Sequence, residues 1–484
     1  MLELIKDMNN SISRILKRKK FLRAWDFPGF LTWTFFFFGF LYIPIVILVI
    51  YSFNSSKFAM IWTGFSFRWY EKLLTNDDMQ QATLNSLYVA PGNSGTHELG
   101  ENINININNY HEIKSTIITK DIHVLIIGPE DPLVNGLHDL LEIDQDIKGL
   151  IIIGPKKRGA KLEGSKSFAK KFMHKYSIPT ARYNSFSSKY YKDAINYLKT
   201  NVAPYVIKAD GLAAGKGVFI CSKLNNAISV IEDIMLKSKF GEAGKKIVIE
   251  EFLEGIEVSI FILTDGTNYK VLPTAKDYKR IGENDTGLNT GGMGAVSPVP
   301  FVDEKFFEKI KTKIIKPTLI GLKKEKIEYS GFIFFGLIKV KDEPYVIEYN
   351  VRLGDPETQA IIPRIQSDLL EALVVLNNPE KFKNHKISIS PSHATTVILT
   401  SKGYPEKYTT GHLVKGINSV KNCTVFHAGL KTENKKHITN GGRVLAITGL
   451  NNSIENSLTK VYNDVEKIKF DNLYFRKDIG ADIK

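Results

Sequence analysis

Residues 204–220 read PYVIKADGLAAGKGVFI, an apolar strand that carries Lys208 and runs into a loop of Gly211, Gly215, Lys216 and Gly217. Glycines at that density let backbone N–H groups approach phosphate oxygens closely, and the lysines supply positive charge. The loop is not a Walker A motif, because GxxxxGK[ST] requires Ser or Thr after the lysine and Gly217 stands there instead. It also lacks the GxGxxG spacing of a dinucleotide fold. A Gly-rich turn by itself is structural about as often as functional, so its neighbours decide.

One neighbour is KIVIEEFLEG, 246–255, where a strand ends in Glu250 and Glu251 and continues into Phe252 and Leu253. Such a terminus can offer backbone groups to an adenine edge and a carboxylate to its amino group, although exposed acids at a strand end are the plainer reading. The other neighbour is VIEYNVRLGDPETQ, 346–359. There Glu348 and Asn350 stand two residues apart on a strand, hence on one face, with Arg352 next along it. A carboxylate beside an amide oxygen suits Mg²⁺, which takes hard oxygen donors and shares its other positions with phosphates and water. An E-x-N pattern alone is weak.

The whole chain has 484 residues, which suggests about three domains. Charged residues at 24% and hydrophobic ones at 43% are globular proportions. Cys221 and Cys423 are far apart and outside any Cys/His cluster, which excludes a disulfide framework and a structural zinc site. The net charge of +14 is not gathered into a basic run with interleaved aromatics, so nucleic-acid binding is not expected. Short β-branched runs, HVLIIGP (123–129), GLIIIGP (149–155) and PYVIEYN (344–350), alternate with amphipathic stretches such as SKSFAKKFMHKY (165–176), the pattern of an α/β protein.

The N-terminus is of a different kind. Phe27 to Ser56 holds no charged residue, and the run from Phe30 to Phe53 is long enough to span a bilayer core of about 30 Å. Lys17, Arg18, Lys19, Lys20 and Arg23 precede it and would keep the N-terminus cytoplasmic. The stretches FLYIPIVILVIYSFNSS, WTGFSFRWYEKLL and ATLNSLYVA resemble the start of a polyamine-type ABC transporter permease over about residues 21–90. One expected helix cannot build a permeation path, so a transporter subunit is the weaker function.

From about residue 89 to 480 the chain resembles the ATP-grasp superfamily and, within it, the phosphoribosylamine–glycine ligase (glycinamide ribonucleotide synthetase) family. The resemblance rests on VAPGNSGT, GPEDPLVNG, LEGSKSFAKKFM, IPTA, VIKADGLAAGKGV, VIEEFLEG, DTGLNTGGMGAVSP, VIEYNVRLGDPETQ, VFHAG and NGGRVLA. It implies ATP-dependent ligation of glycine to 5-phosphoribosylamine in de novo purine biosynthesis, through a glycyl phosphate, with ADP and phosphate released. It further implies that Lys166 and Lys208 hold ATP phosphates under a lid that includes Gly211, Gly215, Lys216 and Gly217. Glu250 and the backbone of Phe252 and Leu253 would hold adenine, and Glu257 the ribose. Glu348 and Asn350 would bind Mg²⁺ (or Mn²⁺), and Arg352 would clamp a carboxylate or developing phosphoryl charge. GFIFFGLIKV, 331–340, offers no further acid, so two protein ligands are expected. Asp277 would orient the glycine ammonium; around it AKDYKR replaces the AQDHKR of many relatives. Glu130 and Pro132 would contribute to the phosphoribosylamine site, and Asn289, Thr290, Gly291 and Gly292 to a Gly-rich loop near substrate. His427 is expected to be structural.

The family's opening strand, GxGGREHA turn and helix do not occur before VAPGN; permease-like sequence stands there. That loss predicts unpaired edges in the first layer and weak or absent ligase activity, with the ATP site still formed. A single crossing would also place the ligase portion outside, which suggests a joined or wrongly predicted reading frame. The alternatives are thus an inactive fusion or another ATP-grasp carboxylate–amine ligase. The expected architecture is α/β and α+β: residues 1–88 permease-like with a transmembrane helix at about 30–53, 89–154 a truncated Rossmann-like substrate domain, 155–370 the ATP-grasp domain with its lid at about 175–245, and 371–484 a C-terminal domain. A monomer is expected, cytoplasmic in its ligase part and membrane-associated only if the N-terminal helix is genuine.

Overall fold

The computed structural model describes residues 87–213 and 216–483, with Phe37, Phe38, Phe40 and Tyr42, which are helical and exposed. Apart from those four, the expected membrane helix lies outside the described residues, among which no helix is long and apolar enough to cross a membrane. The chain divides into two units, 1–87 and 88–484, and among the described residues every strand lies in the second.

The first layer of that second unit is small. Strand β1 (Tyr88–Val89) pairs in parallel with β2 (Glu101–Asn102). Helix α1 (Tyr110–Thr119) starts at Asn109, whose side chain accepts from the His111 and Glu112 N–H groups and so satisfies otherwise orphaned donors. Then come β3 (Val124–Ile126), α2 (Glu130–Asn135), α3 (Leu137–Glu142) and β4 (Ile151–Ile153). Strands β3 and β4 form a parallel pair, separate from the β1–β2 pair.

Helices α4 (Lys157–Gly164) and α5 (Lys166–Lys175) lead into a four-stranded sheet. It comprises β5 (Tyr183–Ser187), β6 (Tyr205–Ala209), β7 (Val218–Cys221) and β8 (Lys246–Glu251) in the order β5-β8-β6-β7, with α6 (Tyr191–Lys199) and α7 (Leu224–Met235) between strands. The two-residue period sorts the side chains. Tyr205, Ile207, Ala209, Ile247 and Ile249 pack with Leu198, Ile231 and Ile234 of the helices. Val206, Lys208 and Glu250 are left to the opposite face, Val206 directly across from Glu250.

The next sheet orders four strands as Tyr269–Val271, Ile256–Thr264, Gly331–Val340 and Glu343–Asn350. In chain order its region holds β9 (Ile256–Thr264), β10 (Tyr269–Val271), β11 (Lys276–Asp277), β12 (Arg280–Gly282), β13 (Thr286–Asn289), β14 (Gly294–Ser297), α8 (Glu304–Ile310), α9 (Lys316–Lys324), β15 (Gly331–Val340) and β16 (Glu343–Asn350). Ile333, Phe335 and Leu337 point to the main core with Ile260, Ile310 and Leu322. Register sets Asn350 opposite Phe334 and Glu348 opposite Gly336, so the two polar side chains share the other face. Phe335 is fully buried. Replacing it with Ala is expected to cost about 3–5 kcal/mol of unfolding free energy, measured by urea denaturation, through lost transfer energy and the cavity left behind.

The last region holds α10 (Glu357–Ile361), α11 (Leu369–Val374), α12 (Pro379–Asn384), β17 (His393–Ser401), β18 (Thr424–His427), β19 (Leu430–Glu433), β20 (Lys436–Thr439), β21 (Arg443–Asn451), α13 (Ile454–Val465) and β22 (Leu473–Tyr474). Its six-stranded sheet, ordered β11-β14-β17-β21-β18 with β22 against β17, draws β11 and β14 from earlier in the chain. Asp277 and the Gly-rich loop are thereby carried on the sheet that closes the molecule.

Candidate active site

A cavity of about 1310 Å³ opens between the inner faces of these sheets. Lys208 and Glu250 enter it from β6 and β8. The Lys208 ammonium lies 3.0 Å from Glu250 Oε2, and the Lys170 ammonium, from α5, lies 3.0 Å from the same oxygen. Burial pushes Glu250 toward protonation, but the two lysines outweigh it and hold its pKa below the usual range. Its other oxygen, Oε1, is buried without a partner among the described residues. Burial pulls the Lys170 ammonium down to about 8 despite Glu250, with Lys208 adding to the fall.

Lys166 begins α5, whose first turn grips the strand–loop junction. Its backbone N–H donates to the Asp210 carbonyl, its ammonium donates to Gly211 O at 3.2 Å, and Ser167 N–H donates to the Asp210 carboxylate. Burial lowers the Lys166 pKa. Gly217 lines the cavity together with Leu212 and Ala213. A Cβ on Gly217 would sit 2.7 Å from that of Ala213, so the loop closes only over glycine. Gly211 and the exposed Lys216 do not line the cavity, and Gly215 lies outside the described residues. Phe252, Leu253 and Glu257 line it, Glu257 bonded to Lys279 at 2.6 Å.

Glu348, Asn350 and Arg352 face these groups from β16 and the turn after it. Burial pushes the Glu348 pKa up, but Lys279, Lys208, Lys166 and Arg352 outweigh it and keep the pKa below the usual range. The buried Asn350 Nδ2 has no partner among the described residues. Arg352 bridges two carboxylates, Glu130 at 2.8 Å and Glu163 at 3.0 Å. Glu163 also accepts the Val351 N–H, yet burial raises its pKa to about 7. Pro132 is buried in α2 and does not reach the cavity; it shapes the turn that presents Glu130.

Asp277 lines the cavity 3.9 Å from the Lys279 ammonium, and burial raises its pKa. Burial, reinforced by Asp277, raises Glu357 to about 8, although it accepts a bond from the Ser259 hydroxyl. The departures around Asp277 turn to a common partner: Lys276 and Tyr278 both bond Asp482. Asn289, Thr290 and Gly291 line the cavity. The Thr290 hydroxyl donates to Lys279 O, while Gly291 donates its N–H to Tyr404 OH and accepts Arg443 at its carbonyl. Gly292 does not line it. Its φ of +108° and the Pro356 Cδ 2.2 Å from where a Cβ would be make it a turn position that only glycine fits. His427 bonds Ser94 Oγ at 2.8 Å, and burial lowers its pKa.

Sequence reading missed Lys170, Glu163, Lys279, Glu357 and Arg443. Lys170 carried a signal, since it is four residues beyond Lys166 and so on the same helix face. Among the described residues no cluster of three His, Cys, Asp or Glu could hold a metal by itself.

Three family models match in sequence: the phosphoribosylglycinamide synthetase N domain over 71–163, its ATP-grasp (A) domain over 164–358 and its C domain over 394–482. Phosphoribosylamine–glycine ligase of Caldanaerobacter subterraneus is 43% identical over 402 residues, which is 83% of this chain and 95% of the relative. That of Clostridium acetobutylicum is 43% identical over 401 residues, 83% and 94%. The crystal structure of the Thermotoga maritima phosphoribosylamine–glycine ligase superposes with a TM-score of 0.69 at 32% identity, covering 81% of this chain and 93% of that one. The biotin carboxylase domain of Hydrogenobacter thermophilus 2-oxoglutarate carboxylase, at 15% identity and a TM-score of 0.60 over 80% and 84% of the two chains, shares the fold alone. The N-domain match begins at 71, inside the stretch read as permease-like, and the permease resemblance gains no support. With an ATP-grasp domain flanked by matching N and C domains, and relatives covered almost end to end, the chain belongs to the phosphoribosylamine–glycine ligase family.

Proposed function

We propose that this chain joins glycine to 5-phosphoribosylamine at the expense of ATP, within the cavity between its two inner sheet faces. The observation that carries this reading is the convergence there of Lys166 and Lys208 from one side with Glu348, Asn350 and Arg352 from the other. A glycine carboxylate oxygen attacks the γ-phosphorus, the bond to the β–γ bridging oxygen breaks, and ADP leaves. The amine nitrogen of phosphoribosylamine then attacks the acyl carbon, loses a proton, and expels phosphate with the former carboxylate oxygen. No protein nucleophile is needed; alignment and charge neutralisation supply the rate.

Lys166 and Lys208 neutralise ATP phosphates, and the loop through Gly211, Gly215, Lys216 and Gly217 closes over them to exclude water from the acyl phosphate. Glu250 Oε1 accepts the adenine amino group, the backbone of Phe252 and Leu253 reads the ring edge, and Glu257 trades Lys279 for ribose hydroxyls. Asp277 holds the glycine ammonium beside the Asn289–Gly292 loop, and Arg352 binds the carboxylate or the phosphoryl oxygens. Glu130 belongs to the phosphoribosylamine side, with Pro132 supporting its turn.

Glu348 and Asn350 suit a hard divalent cation, Mg²⁺ or Mn²⁺: the carboxylate stays ionised, and the Asn350 side chain offers an amide oxygen two residues on along the same strand face. When bound, such an ion neutralises phosphate charge. We place this reaction in the cytoplasm, by a monomer, at a rate lowered because the family's GxGGREHA turn does not occur in the sequence. The test is ADP release by the purified full chain against a panel of amino acids, with ¹⁸O in the glycine carboxylate. With phosphoribosylamine present throughout, ADP formation with glycine and no other amino acid of the panel, and one ¹⁸O in the phosphate, is expected. Preference for another amino acid, or unlabelled phosphate, would overturn the reading.

A further inference from the structure

Two ammonium groups meet one carboxylate oxygen in the wall of the cavity, and all three side chains are buried: Lys170 is 2% exposed, Lys208 4% and Glu250 6%. Two ammonium groups each 3.0 Å from one oxygen repel each other out of water, which is costly unless something further arrives to share their charge. The two lysines are anchored differently. Lys170 donates to Thr180 Oγ1 at 2.7 Å, and that hydroxyl donates to Val346 O at 2.6 Å, so Lys170 is fixed to the opposite sheet through a second bond. Lys208, apart from Glu250, has among the described residues only a 3.4 Å hydrogen bond to Ile347 O, and it stands beside the Gly-rich loop.

We propose that Lys170 is a positioning residue: it is the permanent counter-charge of Glu250, and its presence frees Lys208 to move to nucleotide phosphate while Glu250 stays ionised and aimed at adenine. This rests on the proposed roles of Lys208 and Glu250 in nucleotide binding. Without Lys170, departure of Lys208 would strand a buried carboxylate, so Lys208 stays and ATP loses a phosphate contact. With Lys170, departure also relieves the repulsion between the two ammonium groups. Adenosine, which has no phosphate, needs no such movement and would be indifferent to the exchange.

The test is calorimetric titration of the full chain with ATP in the presence of Mg²⁺ and, separately, with adenosine. Lys170→Met is expected to weaken ATP by about tenfold or more, about 1.4 kcal/mol per tenfold, and adenosine by less than about twofold. In a Glu250→Gln background, and measured against Glu250→Gln alone, Lys170→Met should weaken ATP by less than about twofold, because a neutral side chain no longer detains Lys208. Lys170→Gln, which keeps a donor and loses only the charge, gives the same split if Lys170→Met does not fold. Parallel loss of ATP and adenosine, with the same ATP loss in the Glu250→Gln background, would overturn the proposal and leave Lys170 a structural residue. Lys208→Met separates the two levels: unchanged ATP affinity in that variant would overturn the phosphate role of Lys208 and the proposal with it, whatever Lys170 variants do.

Discussion

Glu348→Gln is expected to fold like the wild-type chain and to lose about 10²–10³ in kcat, the scale on which loss of one preorganised electrostatic group acts. The side chain has little packing to lose, since its cross-strand neighbour is Gly336. What it has is charge: Lys279, Lys208, Lys166 and Arg352 all act on it. Neutralising it leaves those cations without their shared anion. Nucleotide should therefore bind more tightly than to wild type when no divalent cation is present, and less tightly when Mg²⁺ is added. Steady-state kinetics, with nucleotide titrations in both conditions and circular-dichroism melting, checks this. An unchanged ratio of the two affinities would show that Glu348 does not meet the cation.

Arg352→Met should have the second largest effect, on both activity and stability. Removing the guanidinium leaves Glu163 and Glu130 without their common partner, and breaking a buried pair costs about 3–5 kcal/mol as an upper figure. The actual loss depends on pH, because Glu163 can escape by taking a proton. Its folded pKa, about 7, stands above its ordinary 4.5. The folded chain therefore holds a proton that the unfolded chain releases, and this group's contribution to stability falls as pH rises from about 4.5 to about 7, then levels. Without Arg352 the folded pKa rises further, so the decline continues above that point. Urea denaturation at a series of pH values should show a small gap between wild type and variant near about pH 5 that widens to about pH 8. A gap independent of pH would mean that the pair does not carry the effect.

Much of the site was legible because it obeys short periods. Lys208 and Glu250 fall on the cavity face once alternate positions of β6 and β8 are given to the helices, and Glu348 with Asn350 follows the same rule on β16. Lys170 obeyed the helical period from Lys166, but its role depends on Glu250, which reaches it only when β8 lies beside α5. Other contacts come from tertiary structure and leave no local trace. Arg443 and Tyr404 grip Gly291 because β17 and β21 join β14 in one sheet. Lys279 pairs with Glu257, which is 22 residues away on β9. Pro132, Gly211 and Gly292 do not themselves line the cavity, but each stands within two residues of one that does, Glu130, Leu212 and Gly291.

The N-terminal boundary was less legible. An apolar run states only that a stretch could span a bilayer, and residues 71–90 resemble the permease in one reading and match the synthetase N domain in the other. Among the described residues β1–β2 and β3–β4 are separate two-stranded pairs. Turnover lowered chiefly through phosphoribosylamine, with ATP affinity intact, is the expected kinetic mark of the first layer.

The most direct measurement is calorimetric titration of ATP with Mg²⁺ into the full chain and into a folded Lys208→Ala, Glu348→Ala double variant. Affinity lower by at least about a hundredfold, or about 2.8 kcal/mol, is predicted, because one phosphate contact and the cation's carboxylate are removed together. Equal affinity in the two proteins would place nucleotide elsewhere and contradict the assignment of this cavity.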